Sequence, residues 1–166
     1  MEGAIPWIML AATIAAAAAA GFTWSGAKAV RKSTTSSNLI NCLNSYITIM
    51  KARTQAIDSK NEQRCKDFYR ELFDLHWTEF QMWRAGLIPD HVMKAWLDVR
   101  RRNYKEDSIR FEKDGREVTV SYREVWDELK RKNYFEPEDL YRRFMNQIHE
   151  EVITDMKKLR KDYIIK

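Results

Sequence analysis

Histidine and acidic side chains are the first candidates for chemistry in this sequence. His76 lies on the predicted apolar face of a long helix, with Asp74 and Glu79 on neighbouring positions of that helix. An imidazole beside carboxylates is typical of general acid–base catalysis or of a metal site. A histidine on an apolar face is also a common core residue, and the pattern shows no partner cluster. We interpret His76 as a core residue and keep an enzyme built on His76, Glu79 and His149 as the alternative.

The sequence lacks the local motifs of common catalytic centres. His149-Glu150-Glu151-Val152-Ile153 has no second histidine, which a zinc-protease motif needs, and no Glu-x-x-His pair suits a di-iron bundle. The chain has only five glycines and no glycine-rich phosphate loop. We therefore predict no catalytic, cofactor-binding or metal-ligating residue and do not expect an enzyme.

A basic run, Arg100, Arg101 and Arg102, is followed by Tyr104 and Lys105. These side chains could contact the phosphates of lipid head groups or of nucleic acid. Consecutive residues point around a helix, so the run does not form one aligned patch. The chain has 29 basic and 24 acidic residues, a net charge of only +5, so we interpret the run first as a solvated helix end, with a head-group contact as the next interpretation and a nucleic-acid partner as the last.

An uncharged apolar stretch runs from Ile5 to Trp24. As a helix it covers roughly 30 Å, the thickness of a bilayer's hydrocarbon core. We predict a retained transmembrane helix; a cleaved signal peptide and a buried alanine-rich helix are the alternatives. Lys28, Arg31 and Lys32 follow directly. The positive-inside rule then predicts an N-terminus outside the cell, a cytoplasmic C-terminal side, and these three side chains beside lipid head groups.

Within that stretch, small residues recur at every fourth position: Thr13, Ala17, Gly21 and Ser25. Such a row lets two helix backbones approach closely in a membrane. It predicts a helix-association face, with simple lipid exposure as the alternative. The predicted partners are therefore the lipid bilayer and a protein, which could be a second copy of the chain.

Composition divides the chain into three predicted parts. Residues 1–32 form the anchor and its basic flank, residues 33–38 a polar hinge, and residues 39–166 one helical cytoplasmic domain, long enough to bury its own core. Cys42 and Cys65 have no metal-ligand spacing, so we expect reduced, buried thiols.

Periodic apolar residues predict about five helices in this domain. The first carries Leu39, Leu43, Tyr46, Ile47, Met50 and Ile57. The second, expected at the centre of the core, carries Cys65, Tyr69, Leu72, Phe73, His76, Phe80, Trp83 and Leu87. The third carries Val92, Ala95, Trp96 and Val99, the fourth Val125, Trp126 and Leu129 after a Ser121 cap, and the last Tyr141, Met145, Ile148, Val152, Met156, Leu159 and Tyr163.

Between the third and fourth helices the apolar period changes to two. Residues 109–112 and 117–120 alternate apolar with polar side chains around Asp114-Gly115, which predicts a small β-hairpin. An irregular loop is the alternative. The predicted fold class is all-α: an N-terminal transmembrane helix followed by a helical bundle-like domain with one small β-hairpin.

The segment CKDFYRELFDLHWTEFQMWRAGLIPDHVMKAWLDVRRRNY, Cys65 to Tyr104, includes Trp83, Gly86, Pro89 and Trp96. Through these residues it resembles a loose group of uncharacterised bacterial proteins that join one membrane helix to a helical cytoplasmic domain. The resemblance implies a location in the bacterial inner membrane. It implies no activity, because the group has no assigned catalytic residues.

Together these observations favour an interaction protein. We expect a membrane-anchored accessory subunit or scaffold of a membrane-associated complex, with no cofactor. One alternative is a self-associating bacterial effector of defence or toxin type, which depends on the small-residue row. The other is the enzyme built on scattered residues.

Overall fold

The computed structural model describes residues 33–135 and 139–163. Contacts divide the chain into one unit, Met1–Ser37, and a second, Asn38–Lys166, which holds the core. Helix α1 covers residues 33–58. The remaining elements are α2 (Glu62–Arg84), α3 (Asp90–Glu106), β1 (Ser108–Lys113), β2 (Arg116–Ser121), α4 (Tyr122–Arg131), α5 (Asp139–Glu150) and α6 (Met156–Tyr163).

The predicted fold class is wrong in its first element. In the part of the chain that the structure describes, no helix is both long enough and apolar enough to cross a membrane. Helix α2 has 23 residues, but charged side chains such as Glu62, Lys66 and Arg70 interrupt it at every turn. The predicted span from Ile5 to Trp24 lies outside the described residues. The fold class is therefore corrected to a mostly helical domain with one small β-hairpin.

Helix α2 is the centre of the core, as the periodicity predicts. Asn61 caps it: the Asn61 side-chain oxygen accepts a hydrogen bond from the backbone N–H of Arg64 at 3.2 Å. Its inward face contacts α4 and the hairpin, and α3 packs against α4, α5 and α6. The buried residues of α2 are Cys65, Phe68, Tyr69, Leu72, Phe73, Leu75, His76, Glu79, Phe80 and Trp83.

Helix α3 faces the core with a different side from the one predicted. Its buried residues are Met93, Leu97 and Arg100, whereas Val99 is 38% exposed. The spacing of these three positions is helical, but the third is an arginine. A charged residue at a core position removes the apolar signal on which the pattern depends. The predicted stripe is therefore wrong at Ala95 and Val99, which are exposed, whereas Val92 and Trp96 are partly buried against the core.

Helix α1 also contacts the core through an unexpected face. Only Cys42, Ile49 and Ala56, spaced seven residues apart, are buried. The small side chains allow close approach: Cys42 Sγ lies 3.7 Å from Met82 Sδ, and Cys65 Sγ lies 3.7 Å from the carbonyl oxygen of Ala56. The predicted core face is wrong at Leu43, Tyr46, Ile47 and Ile57, which stay exposed. Its other two residues, Leu39 and Met50, are partly buried against the core.

A tight corner joins α2 to α3. Gly86 has φ +75° and donates its N–H to the carbonyl of Trp83 at 3.0 Å, while the Leu87 N–H reaches the carbonyl of Met82 at 2.9 Å. This is a Schellman motif, and its positive φ favours glycine.

Helix α6 contacts this corner on both sides. Arg160 donates to the carbonyl oxygen of Trp83 at 3.1 Å and to Asp90 Oδ1 at 2.9 Å. The indole N–H of Trp83 also donates to Asp90 Oδ1, at 2.8 Å. Arg160 thus ties the end of α2 to the start of α3.

The predicted β-hairpin is confirmed. β1 and β2 pair antiparallel, with Ile109 opposite Val120 and Lys113 opposite Arg116. Asp114 and Gly115 both have positive φ, as a tight two-residue hairpin turn requires. The Ser121 cap of α4 is confirmed as well, since Ser121 Oγ accepts from the Glu124 N–H at 3.1 Å.

The predicted last helix is wrong as one continuous element. It is divided into α5 and α6 by residues 151–155, and Val152, predicted in the core, is 60% exposed. Asp155 caps the new start: its Oδ1 accepts from the N–H groups of Lys157 and Lys158 at 2.9 and 3.0 Å. A β-branched run, Val152 to Thr154, precedes this cap and favours the break.

Candidate functional site: a groove between three helices

A groove of about 580 Å³ lies between α1, α2 and α3. We call it the α1–α2–α3 groove. Its rim is exposed and apolar: Leu43 is 56%, Tyr46 41% and Val99 38% exposed. Its full lining is Cys42, Leu43, Tyr46, Met50, Arg53, Phe68, Leu72, His76, Glu79, Trp96, Val99, Arg100, Arg102, Asn103, Glu106 and Asp107.

The way α1 is attached explains why the groove stays open. Arg53 on α1 forms an ion pair with Asp107, Nη2 to Oδ1 at 2.8 Å, and its guanidinium lies 6.0 Å from the ring centre of Phe68. Because α1 buries only every seventh residue, the apolar side chains next to this line of buried residues remain beside the groove. Leu43, Tyr46 and Met50 are among them.

At the floor of the groove, Glu79 of α2 forms an ion pair with Arg100 of α3. The two side chains are 7% and 2% exposed. Burial raises the pKa of Glu79, and the charge and hydrogen bond of Arg100 oppose that rise. Arg100 Nε and Nη1 are buried and, among the described residues, have no hydrogen-bond partner.

His76 also lines the groove but is directed toward the core's aromatic residues. Its Nδ1 lies 3.3 Å from the hydroxyl oxygen of Tyr122, and its ring meets Phe73 edge-on at 6.0 Å. Burial holds the pKa of His76 well below its ordinary value, and the positive charge of Arg100 lowers it further. His76 is therefore neutral at physiological pH and packs as a core residue.

Cys42, His76 and Glu79 all line the groove, and these are the residue types of a thiol nucleophile with its base. Their electrostatics oppose that chemistry. Burial raises the pKa of the Cys42 thiol to about 11. A catalytic pair needs a lowered thiol pKa and an imidazole that can hold a proton, whereas here both groups are kept neutral.

His149 lies behind the groove floor, in the aromatic core. Its ring stacks on Tyr104 at 4.0 Å between centroids and meets Trp126 edge-on at 5.4 Å. Burial lowers its pKa to about 3. The enzyme alternative placed His76, Glu79 and His149 in one site. His76 and Glu79 line the groove, whereas His149 is not part of its lining, although both imidazole rings contact Tyr122.

The three arginines of the basic run point in different directions. Arg100 is in the core, so it is removed from the predicted surface contact with phosphates. Arg101 is half-buried, and Arg102 is an exposed residue of the groove lining. For Arg101 and Arg102 the head-group contact stays a prediction.

The other predicted site residues fall on residues that are not described. Lys28, Arg31 and Lys32, together with the small-residue row Thr13, Ala17, Gly21 and Ser25, lie outside the described ranges. Metal binding has no candidate in the described ranges either, where no three His, Cys, Asp or Glu side chains are grouped to hold an ion.

Sequence reasoning missed the groove and the ion pair at its floor. Glu79 lies one turn from His76 on the core face of α2, and Arg100 lies three residues after Leu97 on α3. The sequence signal for this ion pair was the presence of opposite charges on the inward faces of neighbouring helices, since buried charges are almost always paired.

Comparison with known proteins supplies no further site. No protein-family model, no curated protein and no solved structure matches this chain. The resemblance to bacterial single-pass membrane proteins stays a prediction, and the α1–α2–α3 groove carries the functional argument.

Proposed function

We propose that this protein is an interaction module without chemistry of its own, and that its α1–α2–α3 groove holds the apolar chain of an amphipathic small molecule. The single observation that carries the proposal is the groove itself: about 580 Å³, with an exposed apolar rim and a buried polar floor. Small-ligand sites are mostly apolar clefts of about 300–1,000 Å³ with a few convergent polar groups. The size favours a small molecule over a folded partner surface.

The exposed rim supports binding rather than simple packing. Leu43 and Tyr46 on α1 and Val99 on α3 all line the groove and are exposed to water. An apolar chain entering the groove would remove these side chains from water, and each Å² of apolar surface so buried contributes about 25 cal/mol. A cluster of exposed large apolar side chains is typical of a binding surface.

The polar groups of the groove favour binding over catalysis. His76 is paired with Tyr122, Glu79 is held by Arg100, and Cys42 is a neutral thiol. A general base must hold or release a proton near the working pH. Burial moves the pKa values of His76 and Cys42 away from that range.

Only the broader expectation of a binding protein rather than an enzyme is kept in this proposal, because a groove of this size suits a small molecule and gives no docking site for a subunit of a complex. The effector alternative has no support from the described residues. Its evidence, the row from Thr13 to Ser25, lies outside them.

The test is binding of the neutral apolar fluorophore N-phenyl-1-naphthylamine to the full chain. We expect saturable fluorescence enhancement, and Leu43→Glu should weaken binding at least tenfold, about 1.4 kcal/mol, because it places a charge on the apolar rim. Val152→Glu is the matched control: Val152 is 60% exposed and is not part of the groove lining.

The apolar residues of segment 1–32 could also bind the fluorophore, so only the difference between the two variants counts. Equal affinity of Leu43→Glu and the wild type would contradict the proposal. So would sedimentation showing that the wild type is a dimer and Leu43→Glu a monomer, because the groove would then be covered by a second copy.

A further inference from the structure

The floor of the groove offers hydrogen-bond donors that the protein leaves unused. Arg100 is 2% exposed, and its Nε and Nη1 have no acceptor among residues 33–135 and 139–163. A buried donor without a partner is unfavourable, and more so when it belongs to a charged group. Arg100 is also part of the groove lining, so a group entering the groove approaches it.

The unpaired polar side-chain atoms of the lining are all donors. Within the described part of the chain they are Arg53 Nε, Arg100 Nε and Arg100 Nη1. A ligand complements them with acceptor oxygens. An ammonium head group would leave these donors unpaired and would place a second positive charge beside Arg100.

The net charge of the Glu79–Arg100 pair limits which acceptor group a ligand can place at the floor. Arg100 already shares its positive charge with Glu79, so the pair is close to neutral. A phosphate monoester carries about −1.5 to −2 at pH 7, more than one shared guanidinium compensates in a buried site. A carboxylate adds a single negative charge and has two oxygens able to accept from guanidinium N–H groups.

We infer that the ligand is an amphipathic carboxylic acid of the fatty-acid class, with its chain along the apolar walls of the groove and its carboxylate accepting hydrogen bonds from Arg100 at the floor. This inference depends on the proposed function and adds the head group to it. Glu79 keeps its bond to Arg100 Nη2, while the ligand carboxylate accepts from one of the two nitrogens that Glu79 leaves unused, Nε or Nη1.

The test compares head groups on one chain length. Dodecanoate, 1-dodecanol, dodecylammonium and dodecyl phosphate are each titrated against N-phenyl-1-naphthylamine bound to the full chain. We expect dodecanoate to displace the fluorophore at a concentration at least tenfold lower than each of the others, because only its head group combines acceptor oxygens with a single negative charge.

A double variant, Glu79→Leu with Arg100→Met, tests the assignment to Arg100. Replacing a buried ion pair by apolar residues of similar volume usually preserves the fold. The ratio of the 1-dodecanol to the dodecanoate displacement concentration should fall to about one. The matched control is Glu71→Leu with Arg64→Met, which removes the same residue types from exposed positions of α2 and should keep the ratio.

If the double variant does not fold, the wild type still gives the answer. The ¹⁵N–¹H resonance of Arg100 Nε should shift on addition of dodecanoate and not of 1-dodecanol. Absence of that shift would overturn the inference.

The remaining outcomes separate the two proposals. If all four compounds displace the fluorophore equally, the carboxylate assignment is wrong and the groove proposal stands. If Arg102→Met abolishes the preference while the double variant keeps it, the head group lies at the rim and the inference is wrong. If no compound displaces the fluorophore, the proposed function fails as well.

Discussion

His149 has both ring nitrogens buried in the core without a hydrogen-bond partner among the described residues, and its ring stacks on Tyr104. Burial disfavours the charged imidazolium, and the positive charges of Lys130 and Arg100 act in the same direction. The folded-state pKa, about 3, lies below the value of about 6.5 for an unfolded histidine. The unfolded chain therefore binds more protons between these two values, so the stability gained from neutral His149 is lost as pH falls below about 6.5.

The first prediction at the residue scale is that His149→Phe makes the protein less sensitive to acid. Between pH 7 and pH 5, one such histidine lowers the free energy of unfolding by about 2 kcal/mol. Phenylalanine keeps the aromatic contacts with Tyr104 and Trp126 and does not titrate. Urea unfolding at the two pH values measures the loss. An equal loss in wild type and variant would show that protonation of His149 does not limit stability.

The second prediction concerns the Glu79–Arg100 pair as a structural contact. Arg100→Met leaves a desolvated carboxylate without its counter-charge and should lower the free energy of unfolding by about 3–5 kcal/mol. The double variant Glu79→Leu, Arg100→Met removes both charges and should regain most of that loss. A double-mutant cycle by urea unfolding measures the coupling. Additive losses would mean that the two side chains do not depend on each other.

At the scale of elements, a side-chain cap stabilises the junction between β2 and α4. Ser121 Oγ accepts from the Glu124 N–H at the first turn of α4, whose inward residues Val125 and Trp126 are fully buried. Ser121→Ala should lower the free energy of unfolding by about 1 kcal/mol, because the helix loses its cap. Ser121→Asp keeps an acceptor and should retain most of the stability. Thermal unfolding of both variants measures the difference, and equal melting temperatures would contradict the role of the cap.

Helices were predictable where apolar residues fill the buried face, and not elsewhere. The pattern identified α2 and its core residues because nearly all of that face is aromatic or aliphatic. It was only partly right for α3, because Arg100 occupies a core position, and for α1, because the small residues Cys42 and Ala56 make the closest contact. The periodicity of apolar residues shows which face of a helix is apolar, but it does not show which face packs against another element.

The break between α5 and α6 was missed for a local reason. The apolar spacing through Val152 and Met156 continues without interruption, so periodicity alone predicts one helix. The Asp155 cap and the β-branched run before it were the opposing signals. A capping residue inside an apolar pattern can decide where a new helix begins, because it satisfies backbone N–H groups that the helix start would otherwise leave unpaired.

For the whole molecule, the sequence predicted a helical core with one hairpin but not the cavity beside it. A groove depends on the distance between helices that are far apart in the chain. That distance is set by contacts such as Arg53 with Asp107, which no local pattern encodes. The candidate site was therefore predicted only in part: His76 and Glu79 were singled out, while Arg100 was expected at the surface.

Hydrogen bonds from Arg160 connect α6 to α2 and α3, which are two walls of the groove. By holding the carbonyl of Trp83 and the carboxylate of Asp90 together, Arg160 fixes where α3 starts relative to α2. These two helices are walls of the groove, so replacing Arg160 should change the affinity for the ligand proposed to bind there. Arg160 is not part of the groove lining, so such an effect would act through the positions of α2 and α3.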